Sequence, residues 1–175
     1  HDIPNTVAGG VRAAAALKPR YLTIHTSGGP AMMRAAADEV AKFGTSRPRL
    51  LGVTVLTSLA EDDLAAVGFA KRAMSEQVET MAKLARSNGL DGVICSPHEV
   101  AGLRRAMGAD FVLMVPGVRP AGSDAGDQKR VMTPADAMKA GATHLVIGRP
   151  ICQAADPVAA ARAIGAGLGS GPLAA

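Results

Sequence analysis

Five short runs of the chain are apolar almost throughout: Tyr21 to Ile24, Leu50 to Leu56, Gly92 to Cys95, Phe111 to Val115 and His144 to Ile147. A strand with one wet face alternates apolar and polar residues, so unbroken runs of this length predict parallel strands covered on both faces. Between the runs, apolar positions recur at helical spacing. They predict helices around Thr6 to Leu17, Ala31 to Phe43, Ala73 to Asn88, Pro97 to Met107 and Pro134 to Ala140, with a last helix from about Pro157 to Leu168. The boundaries carry their own chemistry. Thr133-Pro134 and Asp156-Pro157 each set a capping oxygen before a proline at the first helical position, and Asn88-Gly89 supplies a left-handed stop.

Strand then helix, five times over, is a βα repeat. The strands start between residues 21 and 144, a mean spacing of about 31 residues, which is the repeat of an ordinary eight-unit barrel. The predicted fold is therefore α/β, a (β/α)8 TIM barrel with about five strands in this chain, and residues 1–175 form a single, incomplete barrel domain. An open dinucleotide-binding sheet would instead place G-x-G-x-x-G after its first strand, and none follows Ile24. Five strands do not close an eight-stranded barrel. Three further units, less the opening helix already present, correspond to roughly 60–80 residues, so the length reads as a shortfall.

Composition narrows the core and the partners. With 48% apolar residues, 2% aromatic and no Trp, the interior has to be built from Ala, Val, Leu, Ile and Met. No apolar run approaches the ~18 residues of a membrane span, and the first residues lack the basic and apolar regions of a signal peptide; a cytoplasmic protein with no membrane partner is expected. The net charge of +4 comes from 19 Lys and Arg scattered singly or in pairs, without a basic stripe. One Tyr and three Phe offer few stacking platforms, so the positive balance fits a small anionic ligand better than a nucleic acid. Cys95 and Cys152 lie too far apart for zinc or redox spacing and are expected to be free, buried thiols.

In a parallel barrel the functional groups gather where strands end, and here those ends are polar. They read His25-Thr26-Ser27-Gly28-Gly29, Leu56-Thr57-Ser58, Cys95-Ser96-Pro97-His98, Pro116-Gly117-Val118-Arg119-Pro120 and Gly148-Arg149-Pro150. Arginine beside glycine at the last two ends predicts a phosphate site: glycine lets backbone N–H groups approach the anion, and Arg149 adds a guanidinium fork. The 17-residue Gly/Pro/Asp-containing stretch from Pro116 to Met132 is long for a compact domain and predicts a lid that closes over ligand. His25 faces the mouth either as a ligand contact or as a structural residue. His144 begins its strand on the stability face, and His98 opens a helix; both are expected to be structural. Thr57 and Ser58 either hydrogen-bond a ligand or cap the next helix. Asp2 by itself reads as a helix-start carboxylate.

Taken together, His1-Asp2-Ile3-Pro4-Asn5-Thr6-Val7, Val53-Thr54-Val55-Leu56-Thr57-Ser58, Pro116-Gly117-Val118-Arg119-Pro120, Asp127-Gln128-Lys129-Arg130 and Ile147-Gly148-Arg149-Pro150-Ile151 resemble the orotidine 5′-phosphate decarboxylase family, in its order and spacing over essentially the whole chain. The resemblance implies a barrel needing neither cofactor nor metal. It also implies a homodimer with shared active sites, a carboxy-lyase that converts orotidine 5′-monophosphate to UMP in de novo pyrimidine biosynthesis. On the same resemblance, Asp2, Ile3 and Thr6 belong to a D-x-K-x-x-D-I-P-N-T motif that reaches into the partner's site. Asp2 would be the distal carboxylate of an Asp-Lys-Asp charge network. Thr57 and Ser58 would contact the pyrimidine, and Pro116 would form pocket wall. Arg119 and Arg149, with the backbone at Gly148, would clamp the phosphate, and Gln128 would bridge phosphate and base from the lid.

The motif's first Asp and its Lys fall before His1, and Lys18, Lys42, Lys71, Lys83, Lys129 and Lys139 all lie in predicted helices or loops. Residues 1–175 alone are thus expected not to decarboxylate. Two alternatives follow: a catalytically inactive nucleotide-phosphate-binding barrel, or a related sugar-phosphate decarboxylase. The latter generally needs a metal, and the Asp2 to Thr6 run with Asp127-Gln128 argues against it.

Overall fold

A computed structural model describes residues 1–120 and 132–168. Helix α1 (Pro4–Ala15) leads into β1 (Tyr21–His25), α2 (Pro30–Ala41) and β2 (Arg49–Val53). Two helices, α3 (Glu61–Ala66) and α4 (Met74–Ser87), precede β3 (Gly92–Ile94). Then come α5 (Val100–Met107), β4 (Val112–Val115), α6 (Pro134–Lys139), β5 (His144–Leu145), α7 (Arg149–Cys152) and α8 (Pro157–Gly167). All five strands pair in parallel in one sheet, in the order β1-β2-β3-β4-β5.

That order carries the architecture. Parallel crossovers are right-handed, so strands laid down in strict sequence send their connecting helices to one side and leave the other face for an interior. A doubly wound sheet reverses direction and breaks the order. The sheet is also rolled. In a flat five-stranded sheet the outer strands would stand roughly 19 Å apart, yet the Tyr21 hydroxyl at the start of β1 lies 2.8 Å from Nε2 of His144 at the start of β5. Their rings meet edge to face at 4.9 Å. His144 is therefore structural, as expected of a strand start, and burial, with Arg20 and Arg49 nearby, pushes its pKa below the ordinary histidine value.

The expectation of strands covered on both faces holds in the middle and fails at the margins. Gly92 and Val93 of β3 and Leu50, Leu51 and Gly52 of β2 are buried, whereas Thr23 of β1 is exposed and both residues of β5 are half-buried. An outer strand lacks a neighbour on one side. The core is aliphatic, with Met32, Met33, Leu50, Leu51, Leu103 and Leu113 fully enclosed.

Several boundaries move. Helix α1 starts at Pro4 rather than Thr6, because proline tolerates the first helical position and Ile3 serves as the extended cap residue. Strand β2 ends at Val53 instead of Leu56, and the short helices α3 and α7 carry no periodic apolar signal from which to predict them. Residues Pro97–Glu99 form a 3-10 turn ahead of α5, where the Ser96 hydroxyl accepts from the His98 N–H at 3.4 Å. The predicted caps hold: Thr133 accepts from the Asp136 N–H, Asp156 from the Ala159 N–H, and Gly89 is left-handed at φ 85°. Cys95 is buried, but Cys152 is exposed at the end of α7, contrary to expectation, since that four-residue helix has no buried face.

Helices α1 and α2 are locked by one carboxylate. Buried Glu39 accepts from Arg12 Nε at 2.7 Å and Nη2 at 3.2 Å, and from Lys42 Nζ at 2.6 Å. These bonds hold its pKa at about 2, against an ordinary value of 4.5. A carboxylate with a depressed folded pKa adds stability above its unfolded value and loses it as pH falls through the folded one. The unfolding midpoint should therefore drop on acidification from about pH 4.5 to about 2. Denaturant titrations across that range should show a shallower drop for Glu39→Gln than for the parent.

Gly92 matters differently. A Cβ there would run into the Val112 carbonyl and side chain of the neighbouring strand. Gly92→Ala has to push β3 away from β4, and an overpacked core position costs about 3 kcal/mol. A denaturant midpoint equal to the parent's would contradict this reading.

Candidate active site at the strand ends

Because the strands are parallel, His25, Val53, Ile94, Val115 and Leu145 all finish at one end of the sheet. Backbone pairing runs slightly past them. The Thr54 N–H donates to Ile94 O at 3.1 Å, Cys95 N–H to Met114 O at 3.3 Å, and Val146 N–H to Val115 O at 2.9 Å. Beyond that the chains diverge and open a hollow of about 240 Å³, lined by Val53, Val55, Leu56, Thr57, Ser58, Ile94, Cys95 and Pro116. Thr57, Ser58 and Pro116, drawn from two separate strand ends, thus share one cavity.

Thr57 and Ser58 form the tip of a turn closed by the Leu59 N–H on Leu56 O at 3.0 Å. Asp63 caps the start of α3, its Oδ2 accepting from the Ala60 N–H at 2.7 Å.

Two strands further along, after β4, Pro116 leads into Gly117, left-handed at φ 73°, and then into Arg119. Arg119 is buried, with Nη1 donating to Val118 O at 2.9 Å. Its backbone N–H donates to Met132 O at 2.9 Å, and Val118 bridges to Met132, so the two ends of the 116–132 loop are joined. Gln128 and the body of that loop, predicted as a lid, lie outside the described residues. After β5, Gly148 opens α7 by accepting the Ile151 and Cys152 N–H groups, each at 2.9 Å. A Cβ on Gly148 would meet no atom of the described residues within 4 Å, and Arg149 beside it is exposed.

At the other margin, the start of the chain lies against the end of β1. The Ser27 hydroxyl sits 3.1 Å from Nδ1 of His1, whose ring centroid is 6.2 Å from that of His25. Asp2 is exposed and its Oδ1 accepts from the Ile3 N–H at 2.6 Å; Ile3 and Thr6 are exposed as well. His25 is half-buried, and burial above all lowers its pKa, which favours the neutral imidazole at neutral pH. Among the described residues, Thr57, Ser58, Pro116, Arg119, Gly148 and Arg149 follow strand ends on one side of the sheet, and the start of the chain lies against the end of β1 on the same side. Among the described residues, no three His, Cys, Asp or Glu side chains gather as a metal site requires.

A family model described as the orotidine 5′-phosphate decarboxylase / HUMPS family matches residues 1–164. The chain belongs to this family. Curated relatives include the orotidine 5′-phosphate decarboxylases of Moorella thermoacetica, 54% identical over 95% of this chain and 68% of that protein, and of Laribacter hongkongensis, 55% identical over 96% and 68%. The crystal structure of orotidine 5′-phosphate decarboxylase from Lactobacillus acidophilus is 42% identical and superposes with a TM-score of 0.83 over 97% of this chain and 72% of that one. The chain therefore spans about two thirds of the length of these relatives. Its five parallel strands belong to the TIM-barrel architecture of the decarboxylase family, as the sequence repeat predicts.

Val53, Val55, Ile94 and Cys95 also line the hollow but received no role from the sequence, because as apolar strand residues they look like core.

Proposed function

We propose that this protein decarboxylates orotidine 5′-monophosphate to UMP, as a homodimer in the cytoplasm. The observation that carries the reading is the family membership together with relatives at 54–55% identity that bear this activity in their names. No described helix is long and apolar enough to cross a membrane.

The described part of the rim supports several of these roles. Thr57 and Ser58, at the tip of a turn over an otherwise apolar hollow, offer hydroxyls to a pyrimidine while Pro116, Val53 and Val55 cover its faces. Arg119 and Arg149 stand after adjacent strands and supply two guanidinium groups for a phosphate, with Gly148 leaving room for its oxygens. Loss of CO₂ breaks the bond from C6 to the carboxyl carbon and leaves the electron pair on C6. The motif lysine, whose place precedes His1, stabilises that carbanion as an ammonium and then gives C6 its proton. Asp2 holds that charge network together and disfavours the substrate's own carboxylate. Phosphate binding remote from C6 favours the closed, reacting complex, so it contributes to rate as well as affinity.

Exposure of Asp2, Ile3 and Thr6, with Ile3 at 66%, supports a role across a dimer interface. Mixing Asp2→Ala and Arg149→Ala subunits tests this. If Asp2 acts in trans, each mixed dimer regains one complete site, and random pairing restores about a quarter of parental turnover. No recovery places Asp2 in its own subunit's site. Calorimetry with UMP beside a decarboxylation assay, on the protein with the residues its gene encodes before His1, tests the function itself: binding with turnover is expected, and binding without turnover would favour an inactive nucleotide-phosphate-binding barrel.

A further inference from the structure

Thr54 is buried and belongs to none of the roles above. It bonds the end of β3 twice: its N–H donates to the Ile94 carbonyl at 3.1 Å and its hydroxyl donates to the same oxygen at 2.7 Å. A carbonyl has two lone pairs, and both are taken by one threonine. Val53 and Val55, on either side, line the hollow, while Thr54 does not. That is the alternation of an extended chain, with Thr54 turned to the opposite face. Ile94 is itself part of the hollow's wall. The Thr54–Ile94 pair therefore joins two walls of the cavity. Two residues later the chain enters the Leu56–Leu59 turn that carries Thr57 and Ser58.

An equivalent hydroxyl ties the preceding pair of strand ends. Thr26 Oγ1 donates to Val53 O at 2.9 Å, and its methyl occupies the space that a Cβ on Gly52 would need. Carbonyls at two successive strand ends, Val53 and Ile94, thus each receive a threonine hydroxyl. At these strand ends a side-chain hydroxyl reinforces the tie between neighbouring strands.

We propose that Thr54 is a positioning residue: its hydroxyl, by clamping the end of β2 to Ile94, sets the height of the Thr57–Ser58 turn over the hollow and so governs recognition of the pyrimidine rather than the phosphate. This rests on the pyrimidine nucleotide reading above. The test compares Thr54→Val, which keeps the shape and loses the hydroxyl, with Thr54→Ser, which keeps the hydroxyl, using UMP and ribose 5-phosphate as separate probes by calorimetry. Thr54→Val should bind UMP about tenfold more weakly, the worth of one hydrogen bond to a ligand. It should bind ribose 5-phosphate as the parent does, and Thr54→Ser should match the parent for both.

Parental UMP affinity in Thr54→Val overturns the assignment, and so does an equal loss for the two ligands, which marks a general loosening of the fold. A Thr54→Ser variant as weak as Thr54→Val overturns it too, since the methyl would then be what matters. Failure of the parent itself to bind UMP defeats the nucleotide reading and this assignment together. That outcome is recognised without any variant.

Discussion

Asp2→Ala lowers turnover of orotidine 5′-monophosphate by on the order of 10²–10³-fold, the loss seen when one preorganised group is removed from a site where charge develops, while UMP affinity stays near the parent's. The effect is electrostatic. UMP lacks the carboxylate that departs, so a carboxylate beside that position acts on the reacting complex more than on the product complex. Asp2 is exposed, and its one described hydrogen bond goes to the neighbouring Ile3 N–H. Replacing it should leave folding intact. Asp2→Asn, which keeps the shape and drops the charge, should lose nearly as much. Steady-state kcat measured beside UMP calorimetry checks both statements. If kcat holds while UMP affinity falls, Asp2 is a binding residue and the charge network has to be drawn without it.

Arg149→Ala weakens UMP binding by about 1.5–3 kcal/mol, the range for hydrogen bonds to charged groups, which is roughly 10- to 150-fold in Kd. Arg149 follows Gly148 directly, on an exposed stretch one strand from Arg119. Its loss removes a fork matched to two phosphate oxygens, and Arg149→Lys should restore the charge but only part of the affinity. Because remote binding contributes to the reacting complex, kcat/KM should fall by at least as much as affinity. Uridine, which has no phosphate, should be indifferent to the change. Unchanged UMP affinity in Arg149→Ala would remove the residue from the site.

The sequence made the barrel legible because parallel strands covered by helices leave unbroken apolar runs, and because the spacing of those runs is set by the size of a βα unit. Residues 92–95 and 111–115 read as strands for this reason and became β3 and β4 with only small changes at their ends. Edges were harder. Nothing in Leu50 to Leu56 says that the ladder stops at Val53, since the apolar run continues into the wall of the hollow, where it is valued for lining rather than for pairing. Residues Glu61–Ala66 and Arg149–Cys152 form helices too short for periodicity to register.

The candidate site divides along the same line. Arg119, Gly148 and Arg149 stand out as charged or flexible residues at predicted strand ends. Thr57 and Ser58 read equally as ligand contacts or helix caps, and the structure adds that Asp63 caps α3. Asp2 carried no signal of its own, and only the resemblance singled it out. The Tyr21–His144 contact that shows the sheet to be rolled joins residues 123 positions apart, and no local pattern anticipates it. Thr54 stayed hidden because its role depends on which carbonyl its hydroxyl meets.

The central claim is that this rim serves loss of CO₂ from a pyrimidine nucleotide. The most direct measurement is CO₂ release from orotidine 5′-monophosphate, with and without EDTA, by the protein produced with whatever residues its gene encodes before His1. The account predicts turnover to UMP that survives the chelator and is abolished by Asp2→Ala together with Arg149→Ala. Binding of the nucleotide without release of CO₂, or metal-dependent decarboxylation of a sugar phosphate in its place, would contradict it.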